Sequence, residues 1–135
     1  MITQISLFAP NVEGSMHKIT GILADNDINI ISLQTNDSAE FGIVRLLVDK
    51  PEKAFEAYKK EGYLCRSDQV IGVYMVDKPG CLNRILSALS ESRINIDYIY
   101  ISFDRGSASP IAVMHASEPD IVEECLEAKG FRLSH

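Results

Sequence analysis

Two kinds of segment carry the residues best suited to holding a small charged molecule, and each occurs twice. The first is a glycine turn, Asn11-Val12-Glu13-Gly14-Ser15-Met16 and again Asp77-Lys78-Pro79-Gly80-Cys81-Leu82. In both places a short run of β-formers precedes the glycine and a helical period follows it, so the turn joins a strand to a helix. Glycine there removes Cβ, lets the backbone approach a ligand and leaves the first-turn N–H groups facing outward without intrahelical partners. That cluster of donors suits a carboxylate. The same glycine also serves a turn that binds nothing.

The second segment is Ile28-Asn29-Ile30, repeated as Ile94-Asn95-Ile96. Asparagine at the entry of an apolar strand offers one acceptor and two donors, a combination that can hold an ammonium and a carboxylate together. Its other role at such a place is to cap a turn. The remaining reactive side chains show no catalytic pattern. Cys81 begins a helix, where the dipole lowers a thiol pKa, yet its counterpart is Ser15 and no histidine is placed by spacing to act as its base. His17, His115 and His135 have no close-spaced partner of the kind that binds a metal. Glu52, Glu56, Glu123 and Glu124 read as a solvated helix face, so no catalytic residue, metal site or cofactor is expected.

These segments sit in a duplicated frame. Gly14 and Gly80, Leu23 and Leu89, and the two Ile-Asn-Ile stretches are all 66 residues apart, while Pro51 and Pro119, and Gly62 and Gly130, are 68 apart. The repeat covers the whole chain of 135 residues and divides it into copies at 1–66 and 67–135. In each copy a first strand, at residues 2–9 and 70–76, runs into the glycine turn. Met16, Ile19 and Leu23, and likewise Leu82, Ile85 and Leu89, then mark one helical face, with ends near Asn26 and Ser92. Strands are expected at 28–35 and 94–103. Hairpins at Asp37-Ser38-Ala39-Glu40 and Asp104-Arg105-Gly106-Ser107 lead to third strands at 42–48 and 110–115. Pro51 and Pro119 open second helices whose apolar stripes are Ala54, Phe55 and Tyr58, and Ile121, Val122, Cys125 and Leu126. Gly62 and Gly130 stop them, and short closing strands follow at 63–66 and 131–134.

Each copy is thus α+β, a ferredoxin-like βαββαβ unit with two helices on one face of an antiparallel sheet. A copy of this size buries only ~60% of its unfolded surface, and the linker around Arg66-Ser67-Asp68 is short, so the copies are expected to share an interface with their sheets edge to edge. Tyr74, Tyr98 and Tyr100 fall on the sheet face away from the helices, which predicts contact with another protein surface, most simply a second chain.

With 46% hydrophobic and 24% charged residues, the composition is that of a soluble globular protein. A formal charge of −6 without a basic cluster argues against nucleic acid. The start of the chain has no secretory pattern and no segment approaches the ~20 apolar residues of a membrane span, so a cytoplasmic protein is expected. Cys65, Cys81 and Cys125 are odd in number and widely spaced, which fits reduced thiols.

The order of elements, the turn Asp77-Lys78-Pro79-Gly80-Cys81-Leu82 and the Ile-Asn-Ile segments, duplicated in register, resemble the ACT domain over both copies. ACT domains are regulatory modules that bind amino acids or other small ligands where two of them pair into an eight-stranded sheet. The resemblance implies two pseudo-symmetric clefts. One joins Asn11, Val12, Glu13, Gly14, Ser15 and Met16 to Asn95 and Ile96; the other joins Asp77, Lys78, Pro79, Gly80, Cys81 and Leu82 to Asn29 and Ile30. The first turn departs from the family pattern, with Asn11 opposite Asp77 and Glu13 opposite Pro79. Glu13 puts a negative charge near the expected carboxylate, whereas Asp77 can accept from an ammonium and Lys78 can attract a carboxylate, so the second turn ranks first.

The functional expectation is a stand-alone regulatory or sensor protein, not an enzyme, with a free amino acid as ligand, a homodimeric state and a regulated enzyme or other protein as partner. A small ferredoxin-like enzyme would need a nucleophile or base with an orienting partner. A metal carrier of this topology would need a CxxC turn in place of Lys78-Pro79-Gly80-Cys81. A protein-interaction module without ligand is the remaining alternative.

Overall fold

The computed structural model of the protein describes residues 1–36 and 41–135, Phe41 by its backbone alone. The expected hairpin turn Asp37-Ser38-Ala39-Glu40 lies outside them. Among the described residues seven strands and four helices follow one another: β1 (Ile2–Pro10), α1 (Ser15–Asp25), β2 (Ile30–Thr35), β3 (Phe41–Val48), α2 (Pro51–Lys60), β4 (Cys65–Tyr74), α3 (Cys81–Glu91), β5 (Tyr98–Phe103), β6 (Pro110–His115), α4 (Pro119–Ala128) and β7 (Leu133–Ser134). They form two compact units, Thr3–Asp68 and Gln69–His135, the latter with Met1–Ile2.

In the unit Thr3–Asp68, β3 lies between β2 and β1, antiparallel to both, with Leu46 opposite Ile5 on one side and Leu33 on the other. The segment after α2 closes the other edge of β1, where the Phe8 N–H donates to the Leu64 carbonyl at 3.1 Å. Counting the closing segment as fourth, this is the ferredoxin-like order 4-1-3-2. Alternation along the strands puts Ile5, Leu7, Val44 and Leu46 on the face that α1 and α2 cover, where they pack with Ile19, Leu23, Ala54 and Tyr58. The opposite face is polar along one row, with Ser6 opposite Arg45 and Arg45 opposite Gln34. Buried Gln4 is held there by its Nε2 donating to Ser6 Oγ at 3.2 Å.

The second unit repeats the order as β7-β4-β6-β5, all antiparallel. Its core joins Ile71, Val73, Ala112 and Met114 to Ile85, Leu89, Val122 and Leu126. Tyr74, Tyr98 and Tyr100, opposite Ile111, His115 and Val113, occupy the face without helices, as the alternation predicts. They are half-buried. The Arg132 guanidinium lies 4.5 Å from the Tyr74 ring centre, and Tyr98 stacks on His115 at 5.0 Å.

The expected first helices, the third strands and the two proline-initiated helices occur where the periodicity puts them, and α2 and α4 carry Pro51 and Pro119 in their first turns. Ile121 departs from its stripe and is 46% exposed. Three boundaries also differ. The expected closing strand at 63–66, the linker Arg66-Ser67-Asp68 and the expected first strand at 70–76 are largely one element, β4. No glycine or proline interrupts residues 65–71, and nothing in the stretch demands a turn. Among the described residues seven strands therefore stand where eight were expected.

The second strand of each copy begins later than its apolar character suggests, at Ile30 and at Tyr98 rather than at Ile28 and Ile94. The preceding helix claims those isoleucines. Ile28 N–H donates to Leu23 O at 2.9 Å and Asp27 N–H to Ala24 O at 3.1 Å; Ile94 and Arg93 bond Leu89 and Ser90 in the same way, both at 3.0 Å. This paired closure is the Schellman motif and needs a left-handed residue between. Asp27 and Arg93 supply it at φ 56° and 58°, where α2 and α4 use Gly62 and Gly130, both at φ 86°.

Candidate functional site

Both glycine turns adopt one backbone pattern. In the first, Val12 N–H donates to Pro10 O (3.0 Å), Ser15 N–H to Val12 O (3.2 Å) and Lys18 N–H to Gly14 O (3.0 Å). In the second, Lys78 bonds Val76 (2.7 Å), Cys81 bonds Lys78 (3.3 Å) and Arg84 bonds Gly80 (3.0 Å). Gly14 and Gly80 stand at φ 80° and 86° in the cap position of α1 and α3, a left-handed conformation that residues with Cβ rarely adopt. A Cβ at either would meet no atom within 4 Å, so the requirement for glycine comes from the backbone angle alone.

A helix start normally carries a Ser, Thr, Asp or Asn whose side chain accepts from the second or third N–H. None of the four described helices has such a side-chain cap; α2 and α4 open on Pro51 and Pro119, α1 and α3 on the left-handed glycines. The N–H groups of Met16 and His17, and of Leu82 and Asn83, occupy those positions, and the positive end of the helix dipole lies with them. Residues 11–14 and 77–80 are exposed, Ser15, Met16 and Leu82 half-buried. Cys81 is buried and its Sγ accepts from Val76 N–H at 3.3 Å, which gives the thiol a packing place inside the turn.

Two clefts flank the first turn. One of about 310 Å³ lies between the turn, at Asn11, Ser15 and Met16, and the ends of the strands at Thr35, Asn36 and Gly42. The other, about 420 Å³, lies on the side of α2, bounded by Glu13, Lys18, Glu61 and Tyr63. A cleft of about 360 Å³ at the second turn is bounded by Lys78, Pro79, Asn83 and Arg84. Glu61, Tyr63, Thr35 and Asn36 carry no motif; only the folded chain brings them to the turn.

The Ile-Asn-Ile segments lie elsewhere in their own units. Asn29 sits just before β2, its N–H donating to Asp49 Oδ1 at 2.9 Å and its carbonyl accepting from Asp49 N–H at 3.1 Å; its side chain is exposed. Asn95 is exposed ahead of β5, while Ile30 and Ile96 pack half-buried against their cores. An eleven-residue helix separates each segment from the glycine turn of its copy, about 16 Å along the axis. Neither unit by itself brings its turn and its asparagine together.

One polar pair is not legible from spacing: the β5–β6 register sets Asp97 beside His115, with Oδ2 to Nδ1 at 2.8 Å and Asp97 N–H donating to His115 O at 2.9 Å. A perturbed carboxylate likewise lies away from the turns. Asp104 accepts from the hydroxyl of Ser107 (2.8 Å) and its N–H (3.0 Å), from Tyr74 and from Ser134 Oγ (3.0 Å), which holds its carboxyl down at about 2. All three cysteines are free, and burial pushes the Cys65 thiol up. Among the described residues no cluster of three metal-ligating side chains occurs, and no helix is long and apolar enough to cross a membrane.

A crystal structure of a protein from Bacteroides thetaiotaomicron is 31% identical, with a TM-score of 0.89 over 98% of this chain and 91% of that one. The regulatory subunit of aspartate kinase from Thermus thermophilus shares the fold at 18% identity, with a TM-score of 0.65 over 95% and 92% of the two chains. Its counterpart from Thermus flavus gives 16% and 0.62 over 93% and 90%. No curated protein matches the sequence. The family model described as an ACT domain pair matches residues 1–132, and with both ferredoxin-like units in place the chain belongs to the ACT domain pair family.

Proposed function

We propose that this protein is a non-catalytic, cytoplasmic regulatory protein that senses a free amino acid, with ACT domains at 1–66 and 67–135. The observation that carries the reading is the duplicated glycine turn: a left-handed glycine at the helix start and the same backbone bonds, built twice from different side chains. The ligand's carboxylate is taken at the turns 11–16 and 77–82, by N–H groups that the turn bonds do not use, such as those of Met16 and Leu82. Asn29, Ile30, Asn95 and Ile96 complete the ligand-binding set.

The fold shared with regulatory subunits of aspartate kinase supports a regulatory output. Binding would change contact with a regulated enzyme or other protein through different ligand affinity in two states. The tyrosine face of the second unit fits a homodimer contact.

The test is a thermal-shift screen of the free amino acids followed by calorimetry on each hit. A ligand binding only the folded state at 100 times its Kd adds ~2.7 kcal/mol. At this chain length that raises Tm by roughly 8 to 13 °C. No shift and no heat from any amino acid would sink the reading.

A further inference from the structure

We infer that the two glycine turns differ in ligand charge: the second takes an amino acid whose side chain is itself a carboxylate, and the first excludes it, a preference that presupposes the amino-acid reading above. The duplication provides an internal control. Lys18 and Arg84 are equivalent and stand alike over an aromatic ring, Lys18 Nζ 5.6 Å from the Tyr63 centroid and the Arg84 guanidinium 5.9 Å from that of Phe131. The cation common to both copies therefore cannot distinguish them. The acids do.

Around the first turn the cleft of about 420 Å³ has Glu13 and Glu61 with Lys18, a balance of −1. The equivalents in the second copy are Pro79 and Lys129, and Val12 is replaced by Lys78. Lys129 is spent on Glu91 at 2.9 Å. The cleft of about 360 Å³ at the second turn is lined by Lys78 and Arg84 with no carboxylate among its lining residues. With Asp77, which stands on the turn outside that lining, the balance there is +1. Identical backbone bonds in the two turns show that the fold does not dictate these charges. A second carboxylate on the ligand is drawn to one turn and repelled by the other, an effect of roughly tenfold in affinity at surface dielectric and low salt.

Calorimetry on the whole protein with shape-matched pairs, L-glutamate against L-glutamine and L-aspartate against L-asparagine, tests this. The acid of at least one pair should bind about tenfold tighter than its amide, at one site per chain, with the advantage shrinking as salt rises. Lys78→Gln should erase the advantage without moving Tm, and Val12→Lys with Glu13→Pro should raise the stoichiometry from one to two. The inference is overturned if the amides bind as tightly as the acids, if the wild type shows two equal sites, or if Lys78→Gln keeps the preference. Binding confined to other amino acids also overturns it and leaves the sensor reading standing; binding of none overturns that reading as well.

Discussion

Tyr58 offers a perturbation whose sign changes with pH. It lies on α2, fully buried in the core of the unit Thr3–Asp68, with its hydroxyl donating to the Ile19 carbonyl of α1 at 2.9 Å and its ring edge-on to Tyr63 at 5.7 Å. Its counterpart 68 residues on is Leu126, equally buried, so the fold accepts an apolar side chain at that place. Removing the hydroxyl in Tyr58→Phe leaves the ring and deletes one hydrogen bond, a cost of ~1 kcal/mol at neutral pH. Burial, reinforced by Tyr63, raises the phenol pKa well above its usual value. In the unfolded chain the same phenol ionises near ~10. Above that pH the unfolded state binds fewer protons than the folded one, so stability falls as pH rises, by up to ~1.4 kcal/mol per unit. Phenylalanine cannot ionise, and all other titrating groups are common to the two proteins. The wild type should thus be the more stable at pH 8, and its advantage should vanish near pH ~11. Urea unfolding at pH 8, 10 and 11 measures the difference directly. An advantage equal at pH 8 and pH 11 would refute both the burial of the hydroxyl and the linkage drawn from it.

Four further outcomes are expected. Gly14→Ala and Gly80→Ala should each cost ~1–2 kcal/mol in denaturant unfolding, because only the positive φ resists a side chain there; a much larger loss would mean that the added Cβ is crowded. In calorimetry Gly80→Val should weaken amino-acid binding more than Gly14→Val, and the reverse order would rank the first turn above the second. Arg93→Gly should stabilise by up to ~1 kcal/mol, since it relieves a left-handed residue at a helix end where α2 and α4 use glycine; a loss would show that the Arg93 side chain makes a contact of its own. Asp104 has a folded pKa depressed from 3.8 to about 2 by its hydroxyl and N–H donors, so its stabilising contribution is present above pH ~4 and is lost as pH falls toward 2. The Tm of Asp104→Asn should accordingly vary less than that of the wild type between pH 5 and 2, and parallel curves would argue against those bonds.

Where a property depends on residues close in sequence, the chain could be read directly. The 66-residue echo of Gly14 in Gly80, the helical period of Ile19 and Leu23 or Ile85 and Leu89, the prolines that open α2 and α4 and the glycines that stop them are all local, and each appears as read. Alternation alone put Tyr74, Tyr98 and Tyr100 on the face away from the helices. The late start of β5 was hidden because Ile94 is a strand former whose N–H is captured by Leu89, a matter of how α3 ends rather than of propensity. Arg66-Ser67-Asp68 has the polarity of a linker but no residue that forces a turn, and it lies within β4. The partners that define the clefts and buried bonds, Glu61 near Glu13, Tyr58 on Ile19, Asp97 on His115, lie 18 to 48 residues apart. Their meeting is set by strand register and helix packing. A slip of one residue turns each strand side chain to the other face of the sheet, so only the folded chain fixes which charges surround each turn.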